Sequence, residues 1–312
     1  MKTCMLPVIL LLVAGFVGCG EEPQQAADEL EPKAAKPAEG QVQLRKADGQ
    51  TVAVPLEKLS LADQEHTRRL TAEADTSEGD DKAAIGRLVP RELAIDVGGG
   101  VKMDFVLIPA GRFMMGDDKE YSAKPAHKVT ITQPFYMGKY EVTQEQWEAV
   151  MGSNPSRFKG PRNPVEMVSW QGCQDFVAKL NEKSRAGGAK FSLPTEAQWE
   201  YACRAGTTTQ WSFGDDRGKL GDYAWWGGNA AETTHPVGQK KPNAWGLYDM
   251  HGNVFEWCAD WYRRYEPDDQ TDPVGPESGD SGDLPTGSHV LRGGSWNYHG
   301  PERFSCACRG LQ

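Results

Sequence analysis

Residues 246–262 read GLYDMHGNVFEWCADWY, and this stretch holds the residue types best suited to bind something. Asp249 and Glu256 place carboxylates on either side of a turn, His251-Gly252-Asn253, and a tight turn leaves main-chain carbonyls without partners. Carboxylates and carbonyls on one short loop form the donor set of a hard cation such as calcium. A competing account makes Phe255, Trp257 and Trp261 plain core and leaves the acids in solvent. The spacing by itself admits both.

Such a loop needs a frame, and composition bounds it. The chain has 312 residues, room for one large or two medium domains, yet only 38% are hydrophobic, so part of it is expected to lie outside any core. A formal charge of −10 and a pI near 5.2 offer no basic stripe for phosphates. Nucleic acid therefore drops out of the expected partners, whereas bound cations suit the acidity. The 35 glycines, 20 prolines and 10 tryptophans point to a loop-rich fold held by aromatic packing.

The N-terminus reads as an address. Lys2 precedes an apolar run from Met5 to Val17 that is too short to span a bilayer comfortably. Ending in Phe16-Val17-Gly18-Cys19, residues 1–19 resemble a bacterial lipoprotein signal in which Cys19 receives the lipid, with Phe16 in place of the usual smaller aliphatic residue. The resemblance implies an exported lipoprotein, anchored in the membrane through Cys19 on the periplasmic or cell-surface side. A plain secretory signal or an uncleaved anchor is the alternative. Export permits disulfides, and Cys173, Cys203, Cys258, Cys306 and Cys308 are odd in number, so pairing cannot use them all.

Residues 20–40 carry almost no large apolar side chains and are expected to form a disordered tether. Over 41–66, Val42 and Leu44, then Val52 and Val54, alternate around Asp48-Gly49, which predicts a β-hairpin. With the LEKLSLADQEH that follows, it resembles part of SLA1 homology domain 1. Residues 67–100, charged and then glycine-rich, read as a second linker. From Val101 the chain turns globular, with strands expected over Met103–Pro109, 111–115 and 128–132. Thr143 and Gln146 have capping-box spacing at the head of a helix running to Met151. Ser169 opens a second helix, ending at Gly187-Gly188, in which Cys173, Phe176, Val177 and Leu180 share a face. Thr195 and Gln198 repeat the capping signal in a third, within 191–206. Nothing long and periodic follows, so the class expected is α+β with an irregular, aromatic second half.

Several phrases then coincide in one order: VLIPAGRFMMG, FYMGKYEVTQEQW, NPVEMVSWQGC, FSLPTEAQWEYACRAGT, KPNAWGLYDMHGNVFEWCADW and VLRGGSW. Residues 101–312 thereby resemble the formylglycine-generating enzyme, or sulfatase-modifying factor, family. The resemblance implies a variant of the C-type lectin-like fold with little regular secondary structure. It also implies a calcium site on Asp249, Gly252, Val254 and Glu256, all oxygen donors on one loop. For a second calcium site only Asn229 suggests itself.

Catalysis is where the sequence departs. Active members are copper oxidases in which two cysteines hold Cu(I) while a sulfatase cysteine becomes formylglycine. The family pattern runs Gly-Gly-Ser, two residues, Cys, four residues, Cys. Here Gly293-Gly294-Ser295 is followed by Tyr298 at the first cysteine position and Arg303 at the second, and neither can replace a thiolate for copper. Copper is accordingly not expected. Ser295 is retained, and Phe255 stands where tryptophan is usual. Cys306-Ala307-Cys308, with two thiols at strand period and His299 near, offers a displaced metal site; against it stands a structural reading with Cys258 as disulfide partner of one of the two. The chain ends at Gln312, before the place of the family's last strand, so a C-terminally shortened domain with an open edge around Phe105–Pro109 is expected. Two functions remain: a formylglycine-generating oxidase, or a calcium-stabilised module whose cleft at Ser295, Trp296, Tyr298 and His299 holds an exported protein, peptide or glycan without oxidising it.

Overall fold

A computed structural model describes residues 8–9, 41–45, 51–55, 91–184, 190–276, 278 and 287–312. The chain divides into two units, Cys19–Arg91 and a larger one of Met1–Gly18 with Glu92–Gln312. Strand β1, Val8–Ile9, belongs to the larger unit. The smaller unit contains the expected hairpin, β2 (Gln41–Arg45) against β3 (Thr51–Pro55), with Val42 opposite Val54 and Leu44 opposite Val52. The tether expected over 20–40, Cys19 and residues 67–90 of the expected linker lie outside the described residues.

That linker stops sooner than its composition suggests. β4 (Glu92–Gly98) is antiparallel to β5 (Val101–Ile108), with Gly98-Gly99-Gly100 turning at φ of +132°, +64° and +84°. Three positive φ values in succession are what glycine permits. In β4 the alternation turns Leu93, Ile95 and Val97 inward and Glu92, Ala94 and Asp96 outward, a short period-two signal that ends at the glycines. The open edge expected at 105–109 does not exist: β5 has β4 on one side and β8 (Phe135–Gly138) on the other, with Phe105 and Ile108 wholly buried. β1 lies parallel between β8 and β9 (Phe191–Ser192), completing the order β4-β5-β8-β1-β9. Two residues of the stretch expected as an export signal thus sit within the sheet.

Two smaller sheets complete the α+β unit. One runs β6 (Gly111–Met115), β7 (His127–Ile131) and β11 (Gln270–Thr271); the other runs β10 (Glu256–Trp261), β12 (His289–Arg292) and β13 (Gly310–Leu311). Helix α1 (Gln144–Met151) opens with the capping box of Thr143 and Gln146, and Gly152 closes it in the left-handed region. In α2 (Trp170–Ser184), Cys173, Phe176, Val177 and Leu180 are buried, and Phe176 stacks on Trp147 of α1 with centroids 5.0 Å apart. Its end expected at 187–188 falls outside the described residues. Helix α3 (Glu196–Arg204) repeats the capping box with Thr195 and Gln198 and is buried along nearly its whole length. Among the described residues, no helix is long and apolar enough to cross a membrane.

Full burial of α3 puts two acids in the core. Glu196 accepts from Arg292 Nε at 3.0 Å and Arg309 Nη2 at 2.8 Å; Glu200 accepts from Arg292 Nη2 at 2.9 Å and Arg204 Nε at 2.9 Å. Buried carboxylates are tolerable only when so neutralised. This network ties α3 to β12 and to the C-terminal segment.

Candidate functional site

The loop between residues 246 and 256 is wound tightly enough to turn its acids inward. Asp249 and Asn253 both adopt the left-handed region, at φ +60° and +68°, which Asp and Asn enter most readily after glycine. Asn253 is the hub. Its side-chain amide donates to Glu141 Oε2 at 2.7 Å and to the His235 carbonyl at 3.1 Å, while its Oδ1 accepts from His235 N–H at 3.0 Å. Its carbonyl accepts from Trp296 N–H at 2.9 Å and the Ser295 hydroxyl at 3.5 Å. One residue therefore couples the loop to the segment that follows β12.

Asp249 and Glu256 are buried, not solvated. Each has one oxygen satisfied: Asp249 Oδ2 accepts from Gly238 N–H at 2.7 Å, and Glu256 Oε2 accepts from Trp199 Nε1 at 2.8 Å. The other oxygens, Asp249 Oδ1 and Glu256 Oε1, have no hydrogen-bond partner. A Cβ placed on Gly293, at φ +93°, would lie 3.8 Å from Glu256 Oε1 and 3.7 Å from the Val254 carbonyl oxygen, so those two acceptors converge beside a residue without a side chain. Gly252 is fixed there by crowding, since a Cβ would meet the Trp225 carbonyl at 2.4 Å.

Without a cation these acids hold their protons more tightly than free carboxylates do. Burial raises Asp249 to about 6 and Glu256 to about 8, the Asp249 charge adding to the second shift. Glu141, buried behind the loop, is pushed well above the ordinary carboxylate range by desolvation and then by Asp249 and Glu256. Glu141 accepts from Val254 N–H at 3.0 Å and from Asn253, so it braces the loop from outside the expected ligand set. No spacing signal marks it in the sequence, because it reaches the loop from over a hundred residues away. Asn229, by contrast, spends its amide locally, accepting from Trp226 N–H at 2.8 Å and donating to the Ala224 carbonyl at 3.0 Å.

The second set of expected residues forms a wall beside this loop. Ser295 is buried, Trp296 and Tyr298 are half-buried, and His299 and Arg303 are exposed. Trp296 meets Phe158 edge-on at 5.2 Å. Phe255 meets Tyr298 edge-on at 5.2 Å, and the Arg303 guanidinium lies 5.3 Å from the centroid of the same Tyr298 ring. Phe255, Tyr298 and Arg303, the three departures from the family pattern, are thus one contiguous column. His299 turns away toward Gly227, where an added Cβ would lie 2.6 Å from its ring. A cavity of about 310 Å³ opens elsewhere, lined by Glu196, Asp260, Trp261, Tyr265, Val274 and Arg309, and none of the wall residues borders it.

The displaced site expected at Cys306, Cys308 and His299 does not form. Residues 305–308 turn rather than extend, with Cys308 N–H donating to the Ser305 carbonyl at 3.2 Å, so period two does not hold. The sulfur facing Cys306 belongs to Cys203, at 3.5 Å, and Cys258, the expected disulfide partner of Cys306 or Cys308, is a free thiol.

Comparison with known proteins agrees with this architecture. Residues 100–312 match the family described as sulfatase-modifying factor enzyme 1-like domain, and residues 35–74 match SLA1 homology domain 1, a wider span than the hairpin alone. A protein named chaperone protein LppX from Paenibacillus barcinonensis is 35% identical over 55% of this chain and 76% of its own. The formylglycine-generating enzyme of Mus musculus is 30% identical over 70% of this chain and 72% of its own. The solved structure of Treponema denticola variable protein 1 superposes with a TM-score of 0.64 at 32% identity, covering 72% of this chain and 94% of that one. With the mixed α+β sheets and the low regular content described above, the larger unit has the C-type lectin-like fold of this family. The chain belongs to the sulfatase-modifying factor enzyme 1-like domain family.

Proposed function

We propose that this chain is an exported lipoprotein, anchored through Cys19, whose family domain binds an exported peptide, protein or glycan and does not oxidise it. The observation that carries the reading is the Phe255–Tyr298–Arg303 column, in which Tyr298 and Arg303 stand where the family's copper thiols are expected. An aromatic ring and a guanidinium supply no soft ligand for Cu(I). They do supply stacking and charge to a polar ligand with flat faces, as does Trp296 beside them. The relative named as a chaperone protein is in keeping with binding of another protein without chemistry.

Calcium is the structural partner in this reading. Asp249 Oδ1 and Glu256 Oε1 are the buried acceptors left without donors, and the carbonyls of Gly252 and Val254 complete four hard oxygen donors on one loop. The residues present fit the ion. Bound there, it supplies the positive charge that the two carboxylates otherwise lack, and it holds the loop that hands Asn253 to the wall.

The alternative is a formylglycine-generating oxidase, carried by family membership alone. To separate the two, the purified full chain is incubated with Cu(I), oxygen and a peptide bearing the CxPxR sulfatase motif, and mass spectrometry follows the cysteine. An unchanged cysteine is the expected result; robust conversion to formylglycine overturns the binding-module reading.

A further inference from the structure

We infer that the cavity beside the N-terminus of α3 binds a primary ammonium group on an apolar body, with the Asp260 carboxylate as its counter-charge. It encloses about 310 Å³, at the small end of ligand pockets, which run roughly 300–1,000 Å³. Asp260 of β10 lines it and is 6% exposed. Its Oδ2 accepts from Glu196 N–H at 2.8 Å, and among the described residues that is its one hydrogen bond. Oδ1 has neither a donor nor a paired cation there. Gly275, at φ +73°, lies against this oxygen and puts no side chain on it; an added Cβ would stand 2.8 Å away. The site is separate from the Tyr298 wall and does not depend on what that wall binds.

The other charges on the lining are already committed. Arg309 donates to Glu196 from Nε at 2.6 Å and Nη2 at 2.8 Å, and to the Ser122 carbonyl from Nη1 at 3.0 Å. Arg263 pairs with Glu266 at 3.0 Å, and Arg264 is exposed to water. An anion therefore finds no buried cation free to receive it, whereas a cation finds a buried carboxyl with one oxygen open. Burial, and then the Glu196 charge, push that carboxyl up to about 7, as a missing counter-charge requires. A metal ion fits less well. Among the described residues, the one cluster of three metal-ligating side chains is Cys203, His251 and Cys306, none of which lines this cavity.

An ammonium brings three donors. His127 offers a second acceptor on the lining, since its Nδ1 lies 3.1 Å from the Pro125 carbonyl and donates to it, which leaves the Nε2 lone pair without a partner among the described residues. Trp261, Ala197 and Val274 supply apolar sides, and Val274 is 72% exposed, an apolar residue on the lining with no core to enter. A charge-assisted bond between ammonium and carboxylate is roughly twice as strong as a neutral one, so the charge should set the affinity and the apolar body should add to it.

Isothermal titration calorimetry on the full chain at neutral pH compares phenethylamine, Nα-acetyl-lysine and phenethyl alcohol. At least one amine is expected to bind with one-to-one stoichiometry, about tenfold or more tighter than the alcohol. Binding of phenethylamine alone assigns the site to a free small amine; binding of Nα-acetyl-lysine assigns it to a lysine side chain. Asp260→Asn keeps an acceptor for Glu196 N–H while removing the charge, and should weaken the amine about tenfold or more. Val274→Arg is the second variant: the position is exposed, so the fold is retained, and the added cation should weaken the amine without moving the melting temperature. No binding of either amine at millimolar concentration overturns the inference. So do equal affinities for amine and alcohol, and binding that neither variant weakens. Copper, calcium and the wall do not enter the titration, so failure here and failure of the binding-module reading are separable.

Discussion

The guanidinium of Arg303 lies over the ring of Tyr298, 5.3 Å from its centroid, and Phe255 meets that ring edge-on. A binding surface and a structural core make different demands on this column. If it serves binding, Tyr298→Ala and Arg303→Ala should each cost no more than about 1 kcal/mol of stability, the scale of an exposed cation–π contact. Chemical denaturation checks this. A loss several times larger would make the column part of the fold and remove it from the binding face.

Calcium removal gives the second prediction. A ligand that binds only the folded state stabilises it with the logarithm of its concentration over the dissociation constant. Thermal melts of the full chain should therefore move upward with calcium and downward with chelator. Glu256→Gln keeps an acceptor for Trp199 Nε1, at 2.8 Å in the wild type, while removing the charge, and should abolish the response. Identical melting curves with calcium and with chelator would leave these acids without the ion.

The pH dependence follows with a definite sign. In the metal-free chain Asp249 is raised from 3.8 to about 6 and Glu256 from 4.5 to about 8. Folded groups that hold protons more tightly than unfolded ones lower stability as pH rises through that window. The contribution of these two acids to metal-free stability should thus fall between about pH 4 and pH 8. Calcium displaces those protons, so its stabilisation should be larger at pH 8 than at pH 5. Melting temperatures across the range, with and without calcium, measure both effects; a metal-free curve that rises toward pH 8 would contradict the assignment.

The buried ion network supplies a fourth expectation. Arg292 serves Glu196 and Glu200 together and is itself wholly buried. Arg292→Met leaves both carboxylates short of a partner and should destabilise by about 3–5 kcal/mol, the usual cost of breaking a buried pair from one side. Loss of under 1 kcal/mol in urea denaturation would show that Arg309 and Arg204 suffice.

The sequence by itself determined whatever is local. Thr143 with Gln146 and Thr195 with Gln198 started their helices as capping chemistry requires, and the i, i+3, i+4, i+7 face of α2 is the buried one. Motif order over residues 100–312 was enough for the family. Only the tertiary structure decided whether those acids meet water, because burial depends on Glu141, Trp199 and Gly293 arriving from distant segments. It alone showed β4 inside an expected linker, and β5 paired on both edges. It set the sulfur of Cys203 beside that of Cys306 and left Cys258, the expected partner of Cys306 or Cys308, a free thiol. It also gathered Phe255, Tyr298 and Arg303 into one column. Residues far apart in the chain carry no spacing signal, and which of them share a surface is settled by packing.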